Sequence, residues 1–77
     1  MFGFFKKKKN RRIYIPQEHI ETVTILMDQE MALPGNQRRF ASFQLWRFIE
    51  EVTDQDTSSG TWAIKGSITA LYIEEVT

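Results

Sequence analysis

No cysteine occurs among these 77 residues, so no disulfide helps the chain hold a fold. A chain of this length buries only about 60–65% of the surface it exposes when unfolded. Small cores of that kind lean on disulfides, a bound metal or association with another chain. No structural zinc site is expected: there are no thiolates and one histidine, His19, too few for a site of ordinary type. Association is the support left, and a homodimer is expected. The absence of cysteine also fits a reducing cytoplasm, the expected location. Aromatic residues, 13% of the chain, supply enough apolar material for a packed body.

Charge is segregated along the chain. Lys6, Lys7, Lys8, Lys9, Arg11 and Arg12 form a +6 segment without an acid, while the remaining 65 residues carry four bases against all ten acids, a net −6. The formal net charge of zero conceals this polarity. A basic segment attracts polyanions: nucleic acid, an anionic membrane surface or an acidic protein face. Residues 1–11 read as a basic tail and residues 12–77 as one small domain. No apolar run approaches the roughly 20 residues that a membrane-spanning helix needs. Met1–Phe5 is too short for a signal-peptide core, and its charges follow the apolar stretch instead of preceding it. Phe2, Phe4 and Phe5 beside four lysines suit insertion at a membrane surface, a reading that ranks below a solvated terminus.

The expected fold class is α+β: a short N-terminal strand, two helices, then a C-terminal strand or hairpin. Arg12–Pro16 alternates polar and apolar residues, with Ile at 13 and 15, and reads as a strand ended by Pro16. From Gln17 to Leu33, Ile20, Val23, Met27 and Met31 fall on one helical face. Thr22–Ile25 has strand-like composition, however, so residues 20–33 are open to either state. Leu33-Pro34-Gly35-Asn36 is a break, and Asn36 is the expected N-cap of a second helix from Gln37 to about Thr53. On that helix Ala41, Leu45, Phe48, Ile49 and Val52 form the core stripe. Phe40, Phe43 and Trp46 lie off it, which points to burial against a second surface and makes Phe43 and Trp46 candidate interface residues. Residues 53–60 form a polar loop. Trp62–Val76 is strand, with Trp62, Ile64, Ile68, Ala70 and Tyr72 on alternate positions and a bend, bulge or turn at Lys65-Gly66-Ser67. The alternative architecture is a small all-β barrel in which Leu33–Asn36 closes a hairpin.

The chemistry of common enzymes is missing. The four glycines are scattered and make no phosphate loop. There is no Cys nucleophile, and the serines have no histidine partner in a catalytic pattern. Glu50-Glu51 and Glu74-Glu75 are adjacent pairs whose side chains diverge on a helix or strand. No catalytic residue, cofactor or metal ligand is expected, and the protein reads as a non-enzyme.

The second helix has reversed charges. Arg38 and Arg39 stand in its first turn and Glu50, Glu51 and Asp54 at its end, each opposing the helix dipole by roughly 0.3–1 kcal/mol. Two explanations compete: the arginines grip phosphate at a helix N-terminus, or acids elsewhere in the fold pair with them.

Residues 9–53 resemble the ribbon–helix–helix (Arc/MetJ-like) family of DNA-binding proteins. The resemblance lies in the basic strand Lys9-Asn10-Arg11-Arg12-Ile13-Tyr14-Ile15-Pro16, the helix beginning Pro16-Gln17-Glu18, the break Pro34-Gly35-Asn36 and the amphipathic helix after it. It implies a dimer whose paired strands enter the major groove. On that pattern Asn10, Arg12 and Tyr14 face DNA bases, Ile13 and Ile15 face the core, and Asn36, Arg38 and Arg39 meet phosphate. Lys8, Lys9 and Arg11 add diffuse charge.

Two functions follow. The first is a small homodimeric nucleic-acid-binding regulator that uses these residues. The second is a small inhibitor or adaptor of phage or mobile-element type that binds a host protein through its acidic, aromatic-rich body.

Overall fold

A computed structural model of the chain describes residues 10–76. Its elements are β1 (Arg12–Tyr14), a 3₁₀ turn (Gln17–His19), α1 (Ile20–Met31), α2 (Gly35–Thr53), β2 (Thr61–Ser67) and β3 (Ala70–Val76). The class is α+β. All three strands are antiparallel in one sheet of order β1-β3-β2. The sheet is not closed, which overturns the barrel alternative, and helix occupies the stretch where a barrel needs a hairpin.

Of residues 20–33, open to either state in the sequence, Ile20–Met31 form helix, because apolar periodicity outweighs local β preference. Ile20 and Val23 are buried in the core, with Leu26 and Met27 packed against it. The β-branched residues between them are accommodated individually. The Thr24 hydroxyl donates to the Ile20 carbonyl at 2.9 Å, a common resolution of Thr within a helix, and Ile25 is left exposed. Met31, expected on the buried face, is 70% exposed, because the helix has by then run past the sheet.

α2 begins two residues earlier than expected. Pro34, at φ −60° and ψ 153°, is its N-cap and Gly35 its first residue, with no side-chain cap. Asn36 is therefore within the first turn and is not the cap. The Pro34 carbonyl takes the Gln37 N–H at 2.9 Å, so backbone alone supplies the first bond. The helix stops where Asp54 enters the left-handed region at φ 55°, its N–H donating to the Glu50 carbonyl.

The hairpin turn falls at Ile68-Thr69, between the paired residues Ser67 and Ala70. Gly66, expected near a bend, has φ +101° within β2, and a Cβ there would lie 2.1 Å from the Ala70 carbonyl oxygen. Only glycine fits.

The pairing sums decide which residues share a face. Trp62 pairs with Glu75, Ile64 with Ile73 and Gly66 with Leu71. Even positions of β2 thus share a face with odd positions of β3. Tyr72, expected beside Trp62 and Ile64, lies on the opposite face, and Leu71 and Ile73 take the core positions. Across the other edge Ile13 pairs with Ile73. The core of Ile15, Ile20, Val23, Leu45, Ile49, Leu71 and Ile73 lies between this face and the helices.

The helices are anchored unequally. α1 contributes its first two turns to the core and α2 its second half, so the hairpin between them projects beyond the sheet. The described residues span 49 × 29 × 20 Å with a radius of gyration of 14.5 Å, against about 11.5 Å for a compact domain of this length.

Candidate nucleic-acid interface

The face of the sheet away from the helices carries Arg12 and Tyr14 from β1, Tyr72 and Glu74 from β3, and Lys65 from β2. Strand alternation puts them there: Arg12 pairs with Glu74, Tyr14 and Lys65 both pair with Tyr72, and Ala63 pairs with Glu74. Tyr14 and Tyr72 stand with ring centroids 5.0 Å apart, and Tyr14 is 57% exposed. The Arg12 guanidinium lies over Tyr72, 5.1 Å from its centroid.

Glu74 is the electrostatic centre of this face and is buried. Its carboxylate accepts a hydrogen bond from Asn10 Nδ2 at 3.2 Å. It also holds Lys65 Nζ at 3.3 Å and Arg12 Nε at 3.8 Å. The Asn10 bond is the main reason its carboxyl titrates below the ordinary carboxylate range; Lys65 and the Arg12 charge act the same way, and desolvation opposes them. Sequence reasoning missed Lys65, Tyr72 and Glu74. Their shared parity within β2 and β3 was visible, but their grouping depended on where the turn fell.

Asn10 and Arg11 are tied into the domain and do not belong to a free tail. Besides the Asn10–Glu74 bond, the Arg11 carbonyl accepts the Glu75 N–H at 2.9 Å, and the Arg11 side chain donates to Gln55 Oε1 at 3.1 Å. Its guanidinium lies 5.7 Å from the Trp62 ring centroid, on the helix side of the sheet. Lys8 and Lys9 lie outside the described residues.

The second expected set of contacts divides. Arg38 turns back to α1 and donates to the carbonyls of Leu33 at 3.1 Å and Met31 at 3.4 Å. It caps the C-terminal end of α1, where a cation is favoured; the partners are carbonyls, not acids. Arg39 is exposed and lines a groove of about 520 Å³ between α2 and β2, together with Phe43, Trp46, Arg47, Glu50 and Trp62. Asn36 is exposed near the start of α2. Leu45, the first buried residue of α2, is nine residues further on, about 13 Å along the axis. The structure thus unites Asn10, Arg12 and Tyr14 and separates them from Asn36, Arg38 and Arg39. Of the two candidate interface residues, Phe43 is 57% exposed, whereas Trp46 is half-buried against the core.

Among the described residues no cluster of His, Cys, Asp or Glu is arranged to hold a metal ion. Likewise, none of the described helices is long and apolar enough to cross a membrane. Fold and surface together define a three-stranded antiparallel sheet that is backed by a projecting helical hairpin and bears an open basic and aromatic face. Compared with known proteins, the chain matches no family model, no curated protein and no solved structure.

Proposed function

We propose that this is a small, non-enzymatic nucleic-acid-binding regulator of the cytoplasm that works as a homodimer and contacts its ligand with the outer face of the sheet. The observation that carries the reading is the adjacent Tyr14–Tyr72 pair flanked by Arg12 and Lys65 on a face the helices leave open. Exposed aromatic rings on a sheet stack bases or pack on base edges, and flanking cations take phosphate. The basic lead-in of Lys8, Lys9, Asn10 and Arg11 continues from the same strand. Glu74 sets the strength of the interaction, because Arg12 and Lys65 must share their charge between it and any phosphate.

The test is binding to a 20-nucleotide strand and to its duplex across a salt series. Affinity should fall steeply with salt, by roughly 0.7–0.9 in logarithmic slope per phosphate contact. Tyr14→Ala and Tyr72→Ala should weaken binding, Arg12→Ala should reduce the slope by about one contact, and Glu74→Gln should tighten binding by releasing both cations. Absence of binding to either form at about 50 mM salt, where phosphate contacts are strongest, overturns the proposal.

A further inference from the structure

The groove between α2 and β2 follows the helix for three turns. Its α2 wall carries Arg39, Phe43, Trp46, Arg47 and Glu50, and its other wall is the loop after the helix and the start of β2 at Trp62. Arg39, Phe43 and Arg47 are exposed, and both tryptophans are half-buried.

The edge of β2 beside this groove is open. β2 is an outer strand of the order β1-β3-β2, and among the described residues its backbone bonds only to β3. Thr61-Trp62-Ala63-Ile64 has neither charge nor proline, two devices that close an edge to further pairing. A groove with helix for one wall and a free strand edge for the other has room for one more strand.

Charge and spacing define what that strand carries. Among the described residues no carboxylate lies within ion-pair distance of Arg39 or Arg47. The acid of the same wall, Glu50, is already engaged: it accepts the Thr57 N–H at 2.9 Å and the Thr57 hydroxyl at 2.7 Å. Phe43 stands midway between the arginines, four residues and about 6 Å along the axis from each. In an extended chain, side chains two residues apart face the same way and lie about 6.6 Å apart. We infer that the groove binds an extended segment of another protein, with acid, apolar and acid side chains at alternate positions, as a fourth strand on the β2 edge. The apolar side chain packs on Phe43 and Trp46. The acids take paired N–H donors from Arg39 and Arg47, and the backbone of the segment bonds the open edge. A nucleic-acid strand fits less well, because its phosphates face Glu50 and it has no N–H and C=O ladder to offer the edge.

This site shares no residue with the outer face of the sheet and stands apart from the nucleic-acid reading. The test peptide is fluorescein-labelled TETFTET, titrated with the full chain and followed by anisotropy. It should saturate below about 1 mM. R39E and R47E should each weaken it about tenfold or more, and the double variant R39E/R47E should instead bind TKTFTKT, which wild type rejects. Replacing the peptide's phenylalanine by alanine should also weaken binding. Alternate amides of a strand point to opposite sides, so of two peptides N-methylated on alternate sets one should lose binding and the other keep it. Circular dichroism confirms that the variants are folded; both arginines are exposed. No binding by wild type, affinity unchanged in both R39E and R47E, or equal binding by the two N-methylated peptides overturns the inference. So does a loss of affinity for a 20-nucleotide strand in R39E and R47E with peptide binding unaltered, which would assign the groove to nucleic acid.

Discussion

Glu74 occupies an unusual place for an acid: buried, on the outer face of a three-stranded sheet. Asn10, Lys65 and Arg12 surround it, and its carboxyl is held below the ordinary range, first by the Asn10 bond. A depressed folded value means that the folded state favours the ionised form. The resulting stabilisation is complete above the unfolded value, about pH 4.3, and is lost as pH falls through the lower folded value. Asp56 acts in the same direction through its bonds from the Ser58 hydroxyl and N–H, though it is exposed. Glu74→Gln should therefore lower the melting temperature at pH 7, and the gap to wild type should close as pH falls below the ordinary carboxylate range. A gap between the two that stays the same down to the most acidic pH at which both are folded would mean that Glu74 acts by shape and not by charge. The neighbours of Glu74 also show how far residue-level reading reaches. The alternation from Arg12 to Ile15 was legible because β1 is a single uninterrupted strand: Ile13 and Ile15 face the core and Arg12 and Tyr14 do not. Tyr72 was misplaced because the two-residue turn at Ile68-Thr69 lets even positions of β2 share a face with odd positions of β3, and nothing local in Lys65–Ala70 fixes that turn.

At the scale of elements, the helices were readable where burial dominates and misread where the ends are decided. Leu45 and Ile49 on α2 and Ile20 and Val23 on α1 follow the apolar period into the core. Asn36 has the preferred chemistry of an N-cap, yet the fixed φ of Pro34 starts the helix before it. The two arginines of α2 were legible as a pair with a purpose but not as two residues with different ones. They differ by 100° around the helix axis, which directs Arg38 to the end of α1 and Arg39 to the groove beside β2. Arg38→Ala should accordingly destabilise the folded chain by about 1 kcal/mol, through lost bonds to the Leu33 and Met31 carbonyls and the lost cation at the end of α1. Arg39→Ala should leave the stability of the monomer unchanged or slightly raised, because its charge opposes the dipole of α2. Urea unfolding at a concentration low enough to hold the chain monomeric separates them, and equal losses at both positions would contradict the assignment of Arg38 as the cap. Trp46 belongs to the same lesson. It lies off the expected stripe but packs on the core, since the groove side of α2 faces β2 and Trp62 and not open solvent.

The whole molecule combines an elongated shape with a divided charge. α2 rises about 28 Å over its 19 residues, longer than the sheet is wide, so its first half and the end of α1 extend past the core. Sequence periodicity shows which face of a helix is apolar but not how much of its length finds a partner, and for that reason Met31 looked like core and is not. The projecting hairpin stands apart from the aromatic and basic face, which lies on the sheet. Charge is distributed to match. Every residue of the core cluster lies between Ile15 and Ile73, whereas four of the ten bases are Lys6, Lys7, Lys8 and Lys9. Deleting residues 1–9 removes those four lysines and no acid, leaving six bases against ten acids, a net −4. The truncated chain should keep its melting temperature to within about 2 °C, less than the 4–8 °C that 1 kcal/mol shifts a domain of this size. Its affinity for nucleic acid should fall sharply, and its salt slope should drop by as many contacts as the lysines make, because a body of net −4 then repels the phosphates that Arg12 and Lys65 attract. A melting temperature lowered by 10 °C or more would show that Phe2, Phe4 or Phe5 packs on the domain, and an unchanged salt slope would show that the lysines carry no part of the binding.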